Sequence, residues 1–176
     1  MMKQLTILLF LALLTFPALA QVTNTAAQEE NPVSKTLNSL YKHDQDTMIT
    51  AAEKMPEADY DFKPTPEMRS FAETLTGMIS VQNGMCHALK NNGTLPPSLK
   101  KGLPKAEIVQ ALKSAYTNCD SEFESLTDDI LKQKIKSGTR EISKAVIFVG
   151  IIHLVAEQYA YLATYLRLKG IKPTGK

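Results

Sequence analysis

Few side chains in this 176-residue sequence could do chemistry, and the most suggestive group lies late in the chain. His153 and Glu157 stand four residues apart in a stretch of helical spacing, on one helix face, with Gln158 beside them as the third member of a candidate polar site. An imidazole and a carboxylate so placed could work as an acid/base pair, hold a metal, or simply hydrogen-bond to each other at the flank of a core. Two ligands without a third make a weak metal site, which favours the hydrogen-bonded pair. The other two histidines, His43 and His87, fall on or beside polar stripes and read as solvated. Cys86 and Cys119 sit on apolar stripes with no evident histidine base, which argues against a thiolate nucleophile.

The elements that must position these groups read as helices. Asn31-Pro32 offers an N-cap with proline at the first helical position, and Val33, Leu37, Leu40, Tyr41, Met48, Ala51 and Met55 follow at helical spacing. Pro56, Pro64 and Pro66 break that helix and make Met55 to Pro66 an irregular crossing, pinned by Tyr60 and Phe62. Ser70 and Glu73 form a capping box for a second helix, striped by Leu75, Ile79, Gln82, Cys86 and Leu89 and ended by Asn92-Gly93. A loop with Pro96, Pro97, Gly102 and Pro104 leads to a third helix with the stripe Ile108, Leu112, Ala115, Cys119, Phe123. Thr127-Asp128-Asp129 begins a further connection, and a fourth helix is expected from about Glu141 to Leu168, stopped by Gly170 and Pro173. No strand and no internal repeat is read, so the expectation is an all-α four-helix bundle. Gly77, Val81, Gly84 and Ala88 line up as small side chains, either for close approach of another helix or as the wall of a small pocket.

Met1-Met2-Lys3, the apolar run from Leu5 to Phe16 and the small-x-small pattern Ala18-Leu19-Ala20 make an export signal, with cleavage expected after Ala20. Residues 1–20 are thus the signal peptide, 21–30 a polar lead-in and 31–176 one domain. No cysteine follows the cleavage point, which argues against a lipoprotein. The apolar stretch Ala145 to Ala156 is too short to span a bilayer and reads as a buried helix, so no membrane span is expected in the mature chain. Removal of Lys3 takes the 20 basic residues to 19 against 18 acidic, a net charge of +1 that carries no nucleic-acid footprint. An apolar fraction of 44% with eight glycines and nine prolines suits a globular core. The compartment expected is periplasmic or extracellular, and oxidising.

Specific words then matter. Ala52-Glu53-Lys54-Met55-Pro56, Phe62-Lys63-Pro64-Thr65-Pro66-Glu67, Arg69-Ser70-Phe71, Lys105-Ala106-Glu107-Ile108 and the ending Thr164-Tyr165-Leu166-Arg167-Leu168-Lys169-Gly170 resemble DinB-like proteins over nearly all of the mature chain. The resemblance implies a bundle of up-down-down-up order, with the second and third helices parallel. In many members it also implies a divalent metal on three histidines, and in some of those thiol transfer or isomerisation of small acids. Carried over residue by residue, the ligand positions are Gly77, Leu154 and Gln158. Glycine and leucine offer no donor, and an amide is a poor substitute for imidazole. His153 does not replace the lost ligand, because it and Gln158 are about 140° apart round a helix.

The implied order also bears on the cysteines. Cys86 is 16 residues beyond Ser70 and Cys119 is 15 beyond Pro104, so parallel helices bring them level, whereas an antiparallel hairpin separates them by about 15 Å. The family order and a Cys86–Cys119 disulfide support one another, with two buried free thiols as the alternative. The function expected is therefore an exported DinB-like domain with a degenerate, metal-free site, binding an unknown small molecule or protein. A structural homodimer is a further expectation, since related bundles often pair. The rival is a hydrolase or transferase using zinc, nickel, iron or manganese in a rearranged site around His153, Glu157 and Gln158. Thiol transfer is disfavoured by compartment, since small thiol cofactors are largely cytosolic.

Overall fold

The structure, a computed structural model, describes residues 30–90, 97–137 and 139–173. The residues read above as an export signal, most of the lead-in and the Asn92-Gly93 stop lie outside these residues. Helix α1 spans Pro32–Lys54 and is followed by a 3-10 turn at Glu57–Asp59; α2 spans Phe71–Leu89, α3 Lys105–Glu124 and α4 Asp128–Lys132. Strands β1 (Lys134–Ser137) and β2 (Arg140–Ser143) precede the long α5 (Lys144–Leu168).

Contacts between helices fix their directions. Lys42, midway along α1, pairs with Asp120 near the end of α3 at 3.2 Å, and the end of α1 meets the start of α3, where Lys105 Nζ donates to the Glu53 carbonyl at 2.8 Å. Those two helices are antiparallel. The start of α2 lies beside the end of α5, where Tyr165 Oη donates to the Arg69 carbonyl at 2.8 Å, while Met85 near the end of α2 touches Gly150 near the start of α5. Met85 Cε lies 3.3 Å from where a Cβ on Gly150 would stand, so these two helices are antiparallel too. Cys86 joins Cys119 as a disulfide with a Cα–Cα distance of 5.4 Å, and Asn118 donates to Asn83 at 3.4 Å. The downstream halves of α2 and α3 thus meet, and their starts also adjoin, Glu73 and Thr76 lining one cleft with Lys105 and Ile108, so α2 and α3 run parallel in an up-down-down-up order.

The core follows from the apolar stripes. Tyr41, Phe123 and Phe148 are fully buried; Tyr41 stacks on Phe123 with centroids 3.8 Å apart, and Phe123 meets Phe148 edge-on at 5.0 Å. The proline-rich crossing is held as expected. Tyr60 Oη donates to the Ala52 carbonyl at 2.7 Å, and Ala72 N–H and Phe71 N–H donate to the carbonyls of Tyr60 and Phe62. The capping box is complete, with Glu73 N–H donating to Ser70 Oγ at 3.1 Å and Ser70 N–H to Glu73 Oε2 at 2.8 Å. Gly170 adopts φ 71° after α5, and Ile171 N–H closes onto the Leu166 carbonyl at 2.8 Å, the glycine-terminated stop expected there.

Several local readings need correction. Asn31 occupies the cap position of α1, but with φ 58° its side chain does not cap that helix; its Oδ1 accepts from Asp128 N–H at 3.0 Å, while Asp128 Oδ1 accepts from Ser34 N–H at 2.8 Å. Two helix starts 97 residues apart in sequence therefore exchange caps. Thr127 opens not a plain connection but α4, accepting from Ile130 N–H at 3.2 Å. The expectation of no strand also fails, because β1 and β2 form an antiparallel hairpin in the register Ile135↔Ile142, and α5 starts at Lys144 rather than Glu141. Each strand carries a single apolar residue between polar ones, an alternation too short to register beside the long helical stripes. Helix α5 is also more than the short apolar stretch suggested: by length and composition alone it could cross a membrane, although here one face of it packs into the core.

Candidate functional site

The start of α2, the second half of α5 and the crossing before α2 together frame a cleft of about 370 Å³ lined by Met68, Arg69, Thr74, Glu157, Gln158, Tyr161 and Tyr165. The α2 wall follows from the capping box, which starts the helix at Phe71 and puts Arg69 immediately outside it. The α5 wall is the face carrying residues 157, 158, 161 and 165, spaced to stack one turn above another. Tyr165 is buried, and its hydroxyl fixes the Arg69 main chain.

Arg69 is the residue that sequence reasoning missed as chemistry. Its Nη1 lies 3.3 Å from where a Cβ on Gly77 would stand, so a side chain at position 77 would have to displace the guanidinium. The guanidinium makes no hydrogen bond or ion pair among the described residues; the nearby Lys63 is engaged by Glu73 at 3.1 Å. Gly77 itself lines not this cleft but an adjoining one of about 440 Å³, which Arg69 also lines together with Lys63, Glu67, Glu73 and Lys101. The available signal is the glycine two turns into a helix whose start is preceded by an arginine.

Of the sequence candidates, the structure brings Glu157 and Gln158 into the cleft. His153 does not line it and is exposed on the same helix one turn earlier. No hydrogen bond joins His153 to Glu157, and both are exposed, so the simple paired reading does not describe them. Leu154 is partly buried and packs on the core. Among the described residues no group of three or more His, Cys, Asp or Glu converges as a metal site.

The cysteine pair belongs to the packed interior instead, with Cys86 and Cys119 essentially without solvent exposure. Gln82 is fully buried beside it, its Nε2 3.7 Å from Cys119 Sγ, and its Oε1 has no partner among the described residues. His87 is half-buried with Nε2 shut away and unpartnered among them, a departure from the solvated reading. The largest electrostatic perturbations also lie away from the cleft. Burial, then the Asp120 hydrogen bond, pushes the Tyr41 phenol far above its ordinary range, and burial raises the Asp44 carboxyl.

The comparisons agree with this architecture. The family model described as DinB superfamily matches residues 40–157, well over half of the chain, and the chain belongs to that superfamily. A DinB-like protein of Bacillus subtilis superposes with a TM-score of 0.62 at 15% identity, covering 77% of this chain and 92% of that one. A DinB-like protein of Bacillus cereus gives 0.68 at 8% identity, covering 81% and 96%. A mycothiol-dependent maleylpyruvate isomerase, as its H52A mutant, gives 0.59 at 9% identity, covering 73% of this chain and 60% of that one. At these identities the likeness is one of fold. No curated protein sequence matches the chain.

The residues at the positions that the resemblance assigns to the metal do not fit one. Gly77 and Leu154 have no donor atom, Gln158 offers only an amide, and Arg69 brings a fixed positive charge against Gly77.

Proposed function

We propose that the mature chain is an exported binding module of the DinB superfamily, metal-free, taking its ligand in the cleft between α2 and α5. The observation that carries this reading is the Arg69 guanidinium lying over Gly77. A cationic side chain in that place opposes a divalent ion and favours a ligand with negative or hydrogen-bonding groups. The cleft has the size of a small-molecule site, with one aromatic wall and a few polar groups on the rest. Export rests on the N-terminal sequence alone, and the buried cysteine pair is consistent with an oxidising compartment.

The test is elemental analysis of the mature protein purified without chelator or affinity tag, before and after challenge with zinc, nickel, iron and manganese. Less than a tenth of an equivalent of each is expected. About one equivalent of any of them, lost together with a change at His153, Glu157 or Gln158, overturns the reading in favour of a metal-dependent enzyme.

A further inference from the structure

The same cleft carries charges of both signs. Arg69 and Glu157 both line it, yet they do not close on each other as an ion pair, and neither has an ionic partner elsewhere among the described residues. A site for a simple anion would not keep a carboxylate in its wall, because Glu157 would repel the ligand that Arg69 attracts. A site for a simple cation meets the converse objection. One ligand class satisfies both groups at once.

We propose that the α2/α5 cleft recognises a small zwitterion of amino-acid type, its carboxylate on Arg69 and its ammonium group on Glu157; this rests on the binding-module reading above. The guanidinium presents a planar fork of donors suited to a carboxylate, and its root is held because Tyr165 Oη bonds the Arg69 carbonyl. Glu157 offers acceptors to an ammonium group. Gln158, next to it, can give or accept one further hydrogen bond. Tyr161 is 45% exposed and supplies the apolar wall against which an aromatic or aliphatic side chain can rest. Arg69 and Glu157 are both exposed, and a ligand carrying one charge of each sign meets an attractive partner at each without a repulsive one, so the two contacts should act together.

Calorimetric and NMR titrations of the mature chain with L-phenylalanine, γ-aminobutyrate, benzoate and phenethylamine test this, with R69Q and E157Q as variants and thermal melts to confirm that both are folded. L-phenylalanine should bind most tightly and lose about 10-fold or more in each variant, the range expected for one charged hydrogen bond. Benzoate should bind more weakly to the wild type, gain affinity in E157Q and be lost in R69Q, while phenethylamine should show the reverse dependence. Gamma-aminobutyrate separates a site for adjacent charges from one for charges held further apart, and equal binding of the two amino acids still supports the zwitterion. Benzoate binding as tightly as L-phenylalanine, and indifferent to E157Q, overturns the zwitterion while leaving the cleft as an anion site. Absence of binding by all four probes also overturns it. The metal analysis above reports separately on the reading beneath.

Discussion

The two sides of the bundle are built differently. Between α1 and α3 the central groups find partners: Tyr41 Oη donates to the Tyr116 carbonyl at 2.8 Å and to Asp120 at 2.9 Å, Lys42 pairs with the same carboxylate, and the rings of Tyr41, Phe123 and Phe148 fill the space between. At the α2/α5 cleft the charged groups Arg69 and Glu157 stand without ion partners among the described residues and Tyr161 is 45% exposed; Val81 on α2 and Val146 and Val149 on α5 are also about half exposed. A side that pairs most of its polar groups internally, with Asp44 Oδ2 the buried exception there among the described residues, contributes stability and has little left to offer a ligand. A side with unspent donors, acceptors and apolar surface is where recognition is affordable. The strongest electrostatic perturbations, at Tyr41 and Tyr116, mark the packed side.

The comparison breaks most sharply at Phe123. Phe123→Ala removes a buried ring between Tyr41 and Phe148 and should cost about 3–5 kcal/mol, seen as a large fall in the denaturant midpoint, with the cleft lost only through unfolding. Reducing the disulfide, or Cys86→Ser with Cys119→Ser, frees a loop of 33 residues in sequence separation and should cost about 3–4 kcal/mol. Because both sulfurs are buried, reduction by a mild thiol should be slow in native buffer and fast in denaturant.

A smaller effect is expected where the two helix starts exchange caps. Asn31→Ala should cost about 1 kcal/mol in chemical denaturation, the usual worth of a cap. Asp128 adds a pH signature. The Ser34 backbone N–H holds its carboxyl below the ordinary aspartate value, so its contribution is present above pH about 4 and is lost as pH falls through the lower folded value. Asp128→Ala should therefore lower Tm at neutral pH and flatten the acid limb of the melting curve; an unchanged acid limb would remove the cap from the account.

The smallest change in stability is expected from R69Q, within about 0.5 kcal/mol, because the guanidinium holds nothing in place. A melt shifted by several degrees would move Arg69 to the structural side of the comparison.

Much of the architecture was legible because its causes are local. Apolar stripes at helical spacing, the Ser70–Glu73 box, the three prolines of the crossing and Gly170 each act within a turn or two of themselves, and α2, α3 and the end of α5 form where those rules place them. The hairpin was not, since one buried isoleucine and one half-buried isoleucine give no period to read and its pairing is fixed by where α4 and α5 dock. Nor was the reciprocal cap: asparagine before proline looks like a cap for its own helix, and only the approach of α4 turned its side chain elsewhere.

The site divides in the same way. Sequence alone determined that Gly77 and Leu154 could not be ligands, because a residue without a donor atom lacks one in any fold. It also placed Glu157 and Gln158 on adjoining faces of one helix, as helical geometry requires. Only the tertiary structure decided that Arg69 lies across Gly77 to face them, since that depends on how α2 and the crossing pack against α5. A side chain's type and local spacing are written in the chain, whereas its distance from a residue some ninety positions away is set by packing.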